Sequence, residues 1–198
     1  MTALRQAVAQ RTTKETDIVV TLNIDGSGGT RITTGIGFFD HMLITFAKHA
    51  LFDLEINVRG DLHVDGHHTV EDTGIALGQA LRQALGEKKG VKRFGQASVP
   101  LDEALCEVVI DLSGRPFLLF DMSFTRERIG ELDTELVEEF FRALSISALM
   151  TIHLKKVTGH NTHHMIEAGF KAFARALRMA VEIDPRAQDE IPSTKGVL

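Results

Sequence analysis

The chain has 198 residues, of which 43% are apolar, so it is long enough for one domain or two small ones with a substantial core. Its net charge of -5 and its pI near 6.0 argue against a nucleic-acid surface, and no apolar run reaches the length of a membrane span. Cys106 is the only cysteine, and residues 1–6 lack the apolar core of a signal peptide, so we expect a cytoplasmic protein without intrachain disulfides that acts on a small molecule or a protein.

The predicted elements form an α+β pattern. Segments rich in β-formers predict strands at 18–24, 54–58, 106–112 and 116–124, with a turn at 26–29. Apolar residues at three- and four-residue spacing predict helices at 38–50, 70–85, 135–149 and 166–181. The Gly- and Lys-rich stretch 86–95 is the expected junction between two halves, and the polar stretch 185–198 is expected to be irregular.

A His-His-x-x-Glu motif occurs twice, at 67–71 and again 96 positions later at 163–167. The similarity continues without gaps through identical Ala, Leu and Arg residues at 76, 80, 81, 82 and 84 and at 172, 176, 177, 178 and 180. A weaker echo, Ile-Asp-x-Ser-Gly, stands at 24–28 and at 110–114. The chain is therefore predicted to be an internal duplication with half-repeats 1–95 and 96–198 that pack as one catalytic unit.

The doubled motif favours metal binding, because imidazole and carboxylate are the ligands that hold divalent cations. On a helix, the first His and the Glu four residues later share a face, whereas the second His points elsewhere. We therefore expect His67 and His68 to bind different ions and the second copy to supply a related set. A single histidine more often has a structural role, and for His63 and His160 both interpretations stay open.

These residues resemble imidazoleglycerol-phosphate dehydratase of histidine biosynthesis over almost the whole chain. The matching motifs are GFFDHML at 37–43, DGHHTVED at 65–72, SGRP at 113–116, NTHHMIE at 161–167 and FKAF at 170–173. The resemblance implies an α+β fold with helices layered between two four-stranded sheets and two manganese ions per subunit. It also implies a hollow particle of 24 subunits, built from trimers, in which subunits share active sites.

The resemblance also implies the metal ligands. They are His41, His67, His68, Glu71, His163, His164 and Glu167. The family often has one more histidine before a Phe-Phe pair, and Glu139 stands at that position here. Because a carboxylate also suits manganese, Glu139 is expected to be a ligand, with a water in its place as the alternative.

Further roles follow from the same resemblance. Glu15 is the expected base, His49 a substrate contact, and Glu71 or Glu167 a proton carrier. Asp72 is expected to hold a ligand imidazole, and Thr45 replaces a Gln of some relatives, which removes one substrate contact. The expected phosphate-binding residues are Arg93, Arg115, Lys171, Ser193 and Lys195. The terminal stretch 193–196 is expected to close over the substrate.

The implied reaction is dehydration of imidazoleglycerol phosphate to imidazoleacetol phosphate. The carbon that loses the proton has no neighbouring carbonyl, so enolate chemistry does not assist. A metal on a ring nitrogen would stabilise the imidazolate, which expels the hydroxyl through a diazafulvene-like intermediate. Two rival functions fit the motifs as well: a dinuclear metal hydrolase such as a phosphoesterase, and a metal-bridged shell without catalysis.

Overall fold

The computed structural model describes residues 4–198, so the first half of the stretch 1–6 lies outside the described residues. The described residues form four helices: α1 (Gly37–Ala50), α2 (His67–Leu85), α3 (Leu136–Ala148) and α4 (Thr162–Val181). The strands are β1 (Gln6–Thr12), β2 (Thr16–Asn23), β3 (Thr30–Thr33), β4 (Asp53–Gly60), β5 (Phe94–Leu101), β6 (Ala104–Asp111), β7 (Phe117–Asp121), β8 (Arg128–Ile129), β9 (Leu132–Asp133) and β10 (Thr151–Thr158).

Two sheets of four strands have the same internal order. The first sheet runs β1-β2-β4-β3 and the second runs β5-β6-β10-β7, while β8 and β9 form a small separate hairpin. In each large sheet only the last pair is parallel, β3 with β4 and β7 with β10. Each sheet therefore follows the same path, with a helix between its third and fourth strands and a second helix after the fourth. The predicted α+β fold class is confirmed.

The helices lie between the two sheets, because each sheet buries one face. Along β2, burial alternates strictly, and Ile18, Val20 and Leu22 are completely buried. Helix α2 packs on the first sheet and α4 on the second, while α1 contacts α4 and α3 contacts α2. Phenylalanines fill this layer: the rings of Phe46 and Phe173 stack 5.5 Å apart. The helix layer thus joins the two halves, because each helix of one half contacts a helix of the other.

The contact between α2 and α3 depends on two glycines. A Cβ added at Gly74 would lie 2.7 Å from the carbonyl oxygen of Phe140, and one at Gly78 would lie 2.8 Å from that of Leu144. Only glycine permits such a close approach of two helix backbones. The close packing brings the start of α2, which carries the first histidine motif, against the helix that carries Glu139.

The four predicted helices are present, but α2 and α4 begin three to four residues earlier than the predicted starts at 70 and 166. The histidines are weak helix formers by propensity, and the backbone amides at these helix starts are satisfied by Asp65 and Asn161. Among the strands of residues 4–198, six were not predicted: β1, β3, β5, β8, β9 and β10. Within residues 4–198, no helix is long and apolar enough to cross a membrane.

Candidate metal centre and arginine pocket

Both histidine motifs stand at helix starts. The side chain of Asn161 accepts hydrogen bonds from the backbone amides of His163 and His164, at 3.0 and 3.4 Å. In α2, Asp65 accepts one from the amide of His67 at 2.8 Å. These hydrogen bonds hold the start of each helix, and on a helix the first His and the Glu of each motif lie on one face.

In the second half this face forms a closed group, here called the α4 cluster: His41, His163 and Glu167. Nε2 of His163 lies 3.1 Å from Oε2 of Glu167, and Nε2 of His41, reaching over from α1, lies 3.3 Å from the same oxygen. Among residues 4–198, it is the only group of three His, Cys, Asp or Glu ligand atoms that lie within 4.8 Å of one another. One cation could contact all three atoms.

A lysine lies beside the α4 cluster. Nζ of Lys171 lies 2.7 Å from Oε1 of Glu167. Burial acts to raise the pKa of Glu167, but the contacts with Lys171, His163 and His41 outweigh it, so the pKa is lower than its ordinary value and the carboxylate stays ionised. Burial, with Lys171 and Arg175, lowers the pKa of His49, which keeps that imidazole neutral near pH 7.

The corresponding residues of the first half, here called the α2 set, are His67, Glu71 and Glu139. They are less tightly assembled. Nε2 of His67 lies 3.9 Å from Oε2 of Glu71, and Glu139 contacts Nε of Arg142 at 3.4 Å. The α2 set therefore does not form a closed group within the described part of the chain, although α2 and α3 hold its members in neighbouring helices.

The second histidine of each motif points to a different partner. The rings of His67 and His68 are inclined by 87°, and those of His163 and His164 by 86°. Nδ1 of His68 lies 3.0 Å from Asp61, and Nδ1 of His164 lies 2.7 Å from Glu103. A carboxylate at Nδ1 holds the proton there and leaves Nε2 free to bind a cation.

These carboxylates also change the acid–base properties of the two rings. The contact with Asp61 raises the pKa of His68, and the contact with Glu103 raises that of His164. Glu103 accepts in addition from the backbone amides of Asn161 and His160, at 2.8 and 3.3 Å. The contact with His164, followed by these amides, lowers the pKa of Glu103 to about 2. Glu103 is thus an ionised anchor for the start of α4.

Glu15 lies beside the first motif. It stands in the turn between β1 and β2, is half exposed, and places Oε1 3.7 Å from Nε2 of His68. Asp102 occupies the comparable turn between β5 and β6, with Oδ2 3.9 Å from Nε2 of His164. Both motifs therefore have a carboxylate near the free nitrogen of the second histidine.

Asp72 has a different role from the expected one. It is buried and contacts Thr16 and Nε of Arg11, the latter at 2.8 Å, rather than a ligand imidazole. Sequence reasoning missed the two carboxylates that do hold imidazoles, Asp61 and Glu103. A signal existed for Asp61, which lies seven residues before His68. Glu103 lies 61 residues from His164, so no local pattern indicates it.

Four of the five expected phosphate-binding residues line one cavity of about 360 Å³, here called the arginine pocket. They are Arg93, Arg115, Ser193 and Lys195. Nε of Arg93 is held by Asp111 at 2.7 Å, and its Nη1 donates to the carbonyl of Pro192 at 2.8 Å. The fifth residue, Lys171, lies at the α4 cluster instead.

Comparison with known proteins identifies the family of the chain. The family model for imidazoleglycerol-phosphate dehydratase matches residues 34–177. The chain belongs to this family. It is 63% identical to an imidazoleglycerol-phosphate dehydratase of Gluconacetobacter diazotrophicus and 59% identical to one of Gluconobacter oxydans, in both cases over 198 residues and the full length of both chains. The resemblance found in the sequence is thereby confirmed.

Solved structures agree in fold. A crystal structure of imidazoleglycerol-phosphate dehydratase from Staphylococcus aureus has a TM-score of 0.80 at 43% identity, covering 90% of this chain and 100% of that one. The enzyme from Pyrococcus furiosus, crystallised in complex with a compound, has a TM-score of 0.82 at 39% identity, covering 96% and 99%.

The residues present fit the manganese that the family resemblance implies. Three imidazole and carboxylate atoms already converge in the α4 cluster. Two more imidazoles, His68 and His164, have their Nδ1 atoms held by carboxylates. Imidazole nitrogen together with carboxylate oxygen is a donor set that suits divalent manganese.

Proposed function

We propose that this chain dehydrates imidazoleglycerol phosphate to imidazoleacetol phosphate in histidine biosynthesis, as a cytoplasmic enzyme that needs two manganese ions per subunit. The observation that carries the proposal is the convergence of His41, His163 and Glu167 at the start of α4, contributed by residues of both halves. We also propose that the halves 1–95 and 96–198 arose by duplication, which the common order of their strands supports.

The proposed metal ligands are those of the two motifs. They are His41, His67, His68, Glu71, Glu139, His163, His164 and Glu167. Bound manganese would withdraw electron density from the substrate imidazole and so ease the loss of the adjacent hydroxyl. The chain itself fixes the ligand geometry, because Asp61 and Glu103 orient two of the imidazoles before any ion binds.

Proton transfer to and from the substrate needs acid–base groups close to the proposed metal-binding nitrogens, because the substrate would bind there. Glu15 is the proposed base, since its carboxylate lies beside Nε2 of His68 and is half exposed to an incoming substrate. Neutral His49 is a proposed substrate contact near Lys171. Lys171 keeps Glu167 ionised, which suits a carboxylate that binds a cation and also suits Glu167, or Glu71 in the other motif, as a proton carrier.

The arginine pocket is the proposed phosphate site, and its position supports a site shared between chains. The amide of Arg93 donates to the carbonyl of Ala180 at 2.9 Å, near the end of α4. His163 stands 17 residues earlier on the same helix, at a distance of about 25 Å along its axis. A three-carbon phosphate ester of imidazole is far shorter than that. We therefore propose that substrate bound at an α4 cluster reaches the arginine pocket of another subunit.

We accordingly propose an assembly of identical subunits with shared sites, and specifically the 24-subunit particle built from trimers. The ligand side chains support it, because His41, His67 and His163 are each 42% to 49% exposed in the single chain and remain open to a neighbour. Removing the metal with EDTA should then release smaller species, which light scattering would detect. A particle of unchanged size would contradict metal sites that bridge subunits.

The proposed activity is tested by product analysis of manganese-loaded protein supplied with imidazoleglycerol phosphate. Formation of imidazoleacetol phosphate supports the proposal. Release of inorganic phosphate without ketone would favour a dinuclear hydrolase, and absence of both products would favour a metal-bridged shell. A metal-stripped sample, restored with manganese, serves as the control.

Mixing two inactive variants tests whether subunits share the site. His163→Ala damages the metal end and Arg115→Ala the phosphate end, so each alone should be inactive or nearly so. After dissociation and reassembly as an equal mixture, about one quarter of the sites should hold both intact ends if two chains contribute to each site. Recovery of that fraction supports sharing, whereas no recovery would place both ends in one chain.

A further inference from the structure

A lysine remote from the histidines is buried beside the arginine pocket. Lys88 belongs to the junction loop, residues 86–93, between α2 and β5, and only 6% of it is exposed. Its Nζ donates a hydrogen bond to the carbonyl oxygen of Leu112 at 3.1 Å. The neighbouring Lys89 instead lies at the surface, paired with Glu87. Of these two adjacent lysines, Lys88 is therefore buried and Lys89 is exposed to solvent.

The carbonyl that Lys88 contacts begins the turn that presents Arg115. Within this turn the hydroxyl of Ser113 accepts from the amide of Arg115 at 3.2 Å and can donate to its carbonyl at 3.1 Å. The amide of Leu112 donates to the carbonyl of Arg93 at 3.1 Å. Leu112 is thus held on both sides, by Arg93 through its amide and by Lys88 through its carbonyl.

The junction loop also fixes the remaining wall of the pocket. The amide of Gly90 donates to the carbonyl of Glu190, and that of Lys92 to the carbonyl of Glu182, both at 2.8 Å. Through these bonds the loop holds the segment that leads to Ser193 and Lys195. All three parts of the pocket wall, Arg93, the Arg115 turn and the terminal segment, are therefore attached to one short loop.

The position of Lys88 is costly for the fold. Its φ of 58° lies in the left-handed region, which a lysine seldom adopts, and its ammonium is withdrawn from water. Burial, followed by the nearby Arg82, lowers the pKa of Lys88, while Asp111 acts in the opposite direction and Arg93 adds to the lowering. A cation held under these conditions suggests a role that an apolar residue would not fill.

We infer that Lys88 is a positioning residue of the arginine pocket: its ammonium holds the Leu112 carbonyl and thereby sets the position of Arg115 relative to Arg93 and the terminal segment. This inference rests on the proposed function, because it assumes that the pocket binds the substrate phosphate. Lys88 lies outside the lining of the pocket and acts through the turn, without touching the substrate.

The test compares three variants of the full chain, Lys88→Met, Lys88→Arg and the matched surface control Lys89→Met. The probe is inorganic phosphate, measured by titration calorimetry. We expect Lys88→Met to weaken phosphate binding about tenfold, because small displacements of a charged group strongly reduce its interaction. Lys88→Arg should restore most of the affinity, and Lys89→Met should not change it. Inhibition by imidazole, which probes the metal end, should change less than about twofold in every variant.

Kinetics provide a second readout that a general loss of stability would not produce. For Lys88→Met, KM should rise about tenfold while kcat stays within about twofold, since the metal end is intact. Should Lys88→Met fail to assemble, Lys88→Gln replaces it, and an unchanged phosphate affinity in that variant overturns the inference. So does an unchanged affinity in a folded Lys88→Met protein.

Arg115→Ala in the same titration separates this inference from the proposed function. If Arg115→Ala loses phosphate affinity and Lys88→Met does not, only the role of Lys88 is wrong. If the unmodified protein does not bind phosphate, or if Arg115→Ala binds it equally well, the assignment of the pocket itself fails.

Discussion

In α4, Glu167 lies within 3.3 Å of both His41 and His163, whereas in α2 the matching Glu71 lies 3.9 Å from His67 and Glu139 pairs with Arg142. The local spacing of the two motifs is identical. The difference involves the third member, which lies on a helix of the other half: His41 on α1 contacts Glu167, whereas Glu139 on α3 pairs with Arg142. The repeated motif thus places two members of each group, and tertiary packing places the third.

A neighbouring residue strengthens this difference. Lys171 stands one turn after Glu167 and fixes its carboxylate, whereas the equivalent position in α2, 96 residues earlier, is Ile75. Glu71 consequently has more freedom, and its side chain is 43% exposed against 14% for Glu167. The proposed ligands of the second half are therefore already assembled, whereas those of the first half lie further apart.

The largest expected effect is that of His163→Ala, which removes a ligand from the preorganised cluster. Dehydratase activity and manganese affinity should each fall by more than about 100-fold, because even residues that only orient ligands contribute up to that much. Elemental analysis and a product assay measure both. His153→Ala, a histidine on β10 outside both motifs, is the matched control. Normal metal content in His163→Ala would refute the α4 cluster as a metal site.

The next effect concerns the carboxylates that orient the second histidines. Glu103→Gln and Asp61→Asn should each lower manganese affinity by about 10- to 100-fold. Glu103→Gln should be the more severe, since the contact of Glu103 with His164 is 2.7 Å long and that of Asp61 with His68 is 3.0 Å. Glu107→Gln, on the exposed side of β6, is the control. Equal affinities in all four proteins would mean that the two contacts do not orient ligands.

Glu139→Gln tests whether Glu139, a member of the α2 set, binds a metal ion. If Glu139 moves from Arg142 to an ion, the variant should bind one of its two manganese ions several-fold more weakly, since one charged ligand among several is lost. Glu138→Gln is the matched control, because Glu138 precedes it on α3 and also contacts Arg142. Full occupancy by elemental analysis would show that Glu139 is not a ligand.

The smallest expected effect concerns the turn at 26–29, which is related in sequence to the turn at 112–114. At 26–29 the carboxylate of Asp53 accepts from the amides of Ser27 and Gly29, both at 2.9 Å, whereas the related turn at 112–114 is held by Lys88. These amide bonds lower the pKa of Asp53 below its ordinary value near 3.8. Its stabilising contribution is therefore complete above that pH and is lost as the pH falls through the lowered pKa.

Asp53→Asn should accordingly lower Tm by about 2 to 4 °C at pH 7. The difference from the unmodified protein should shrink as the pH falls below about 4, because protonation then weakens the same bonds in the unmodified protein. Thermal unfolding at several pH values measures it, with Glu55→Gln on the outer face of β4 as the control. A difference that stays constant with pH would assign the effect to something other than the charge of Asp53.

The sequence predicted the four helices and the repeated motif because both are local, periodic patterns. It missed β1, β5 and β10, whose polar residues such as Gln10 and Lys156 hide the alternation, and β3, β8 and β9, which have only two to four residues. It assigned an imidazole contact to Asp72 from resemblance, although Asp72 lies within the helix and faces Thr16 and Arg11. The contact of Glu103 with His164 joins distant segments and could be seen only in the folded chain.

The glycines of α2 restrict how the two halves could change. With the carbonyls of Phe140 and Leu144 only 2.7 and 2.8 Å from where a methyl group would stand, any larger residue at Gly74 or Gly78 would push α3 outward. Turns, capping residues and even a proposed ligand differ between the two halves, but the contact between α2 and α3 permits no larger residue at either glycine. The two halves are therefore mechanically dependent on each other, because a change at either glycine of α2 displaces a helix of the other half.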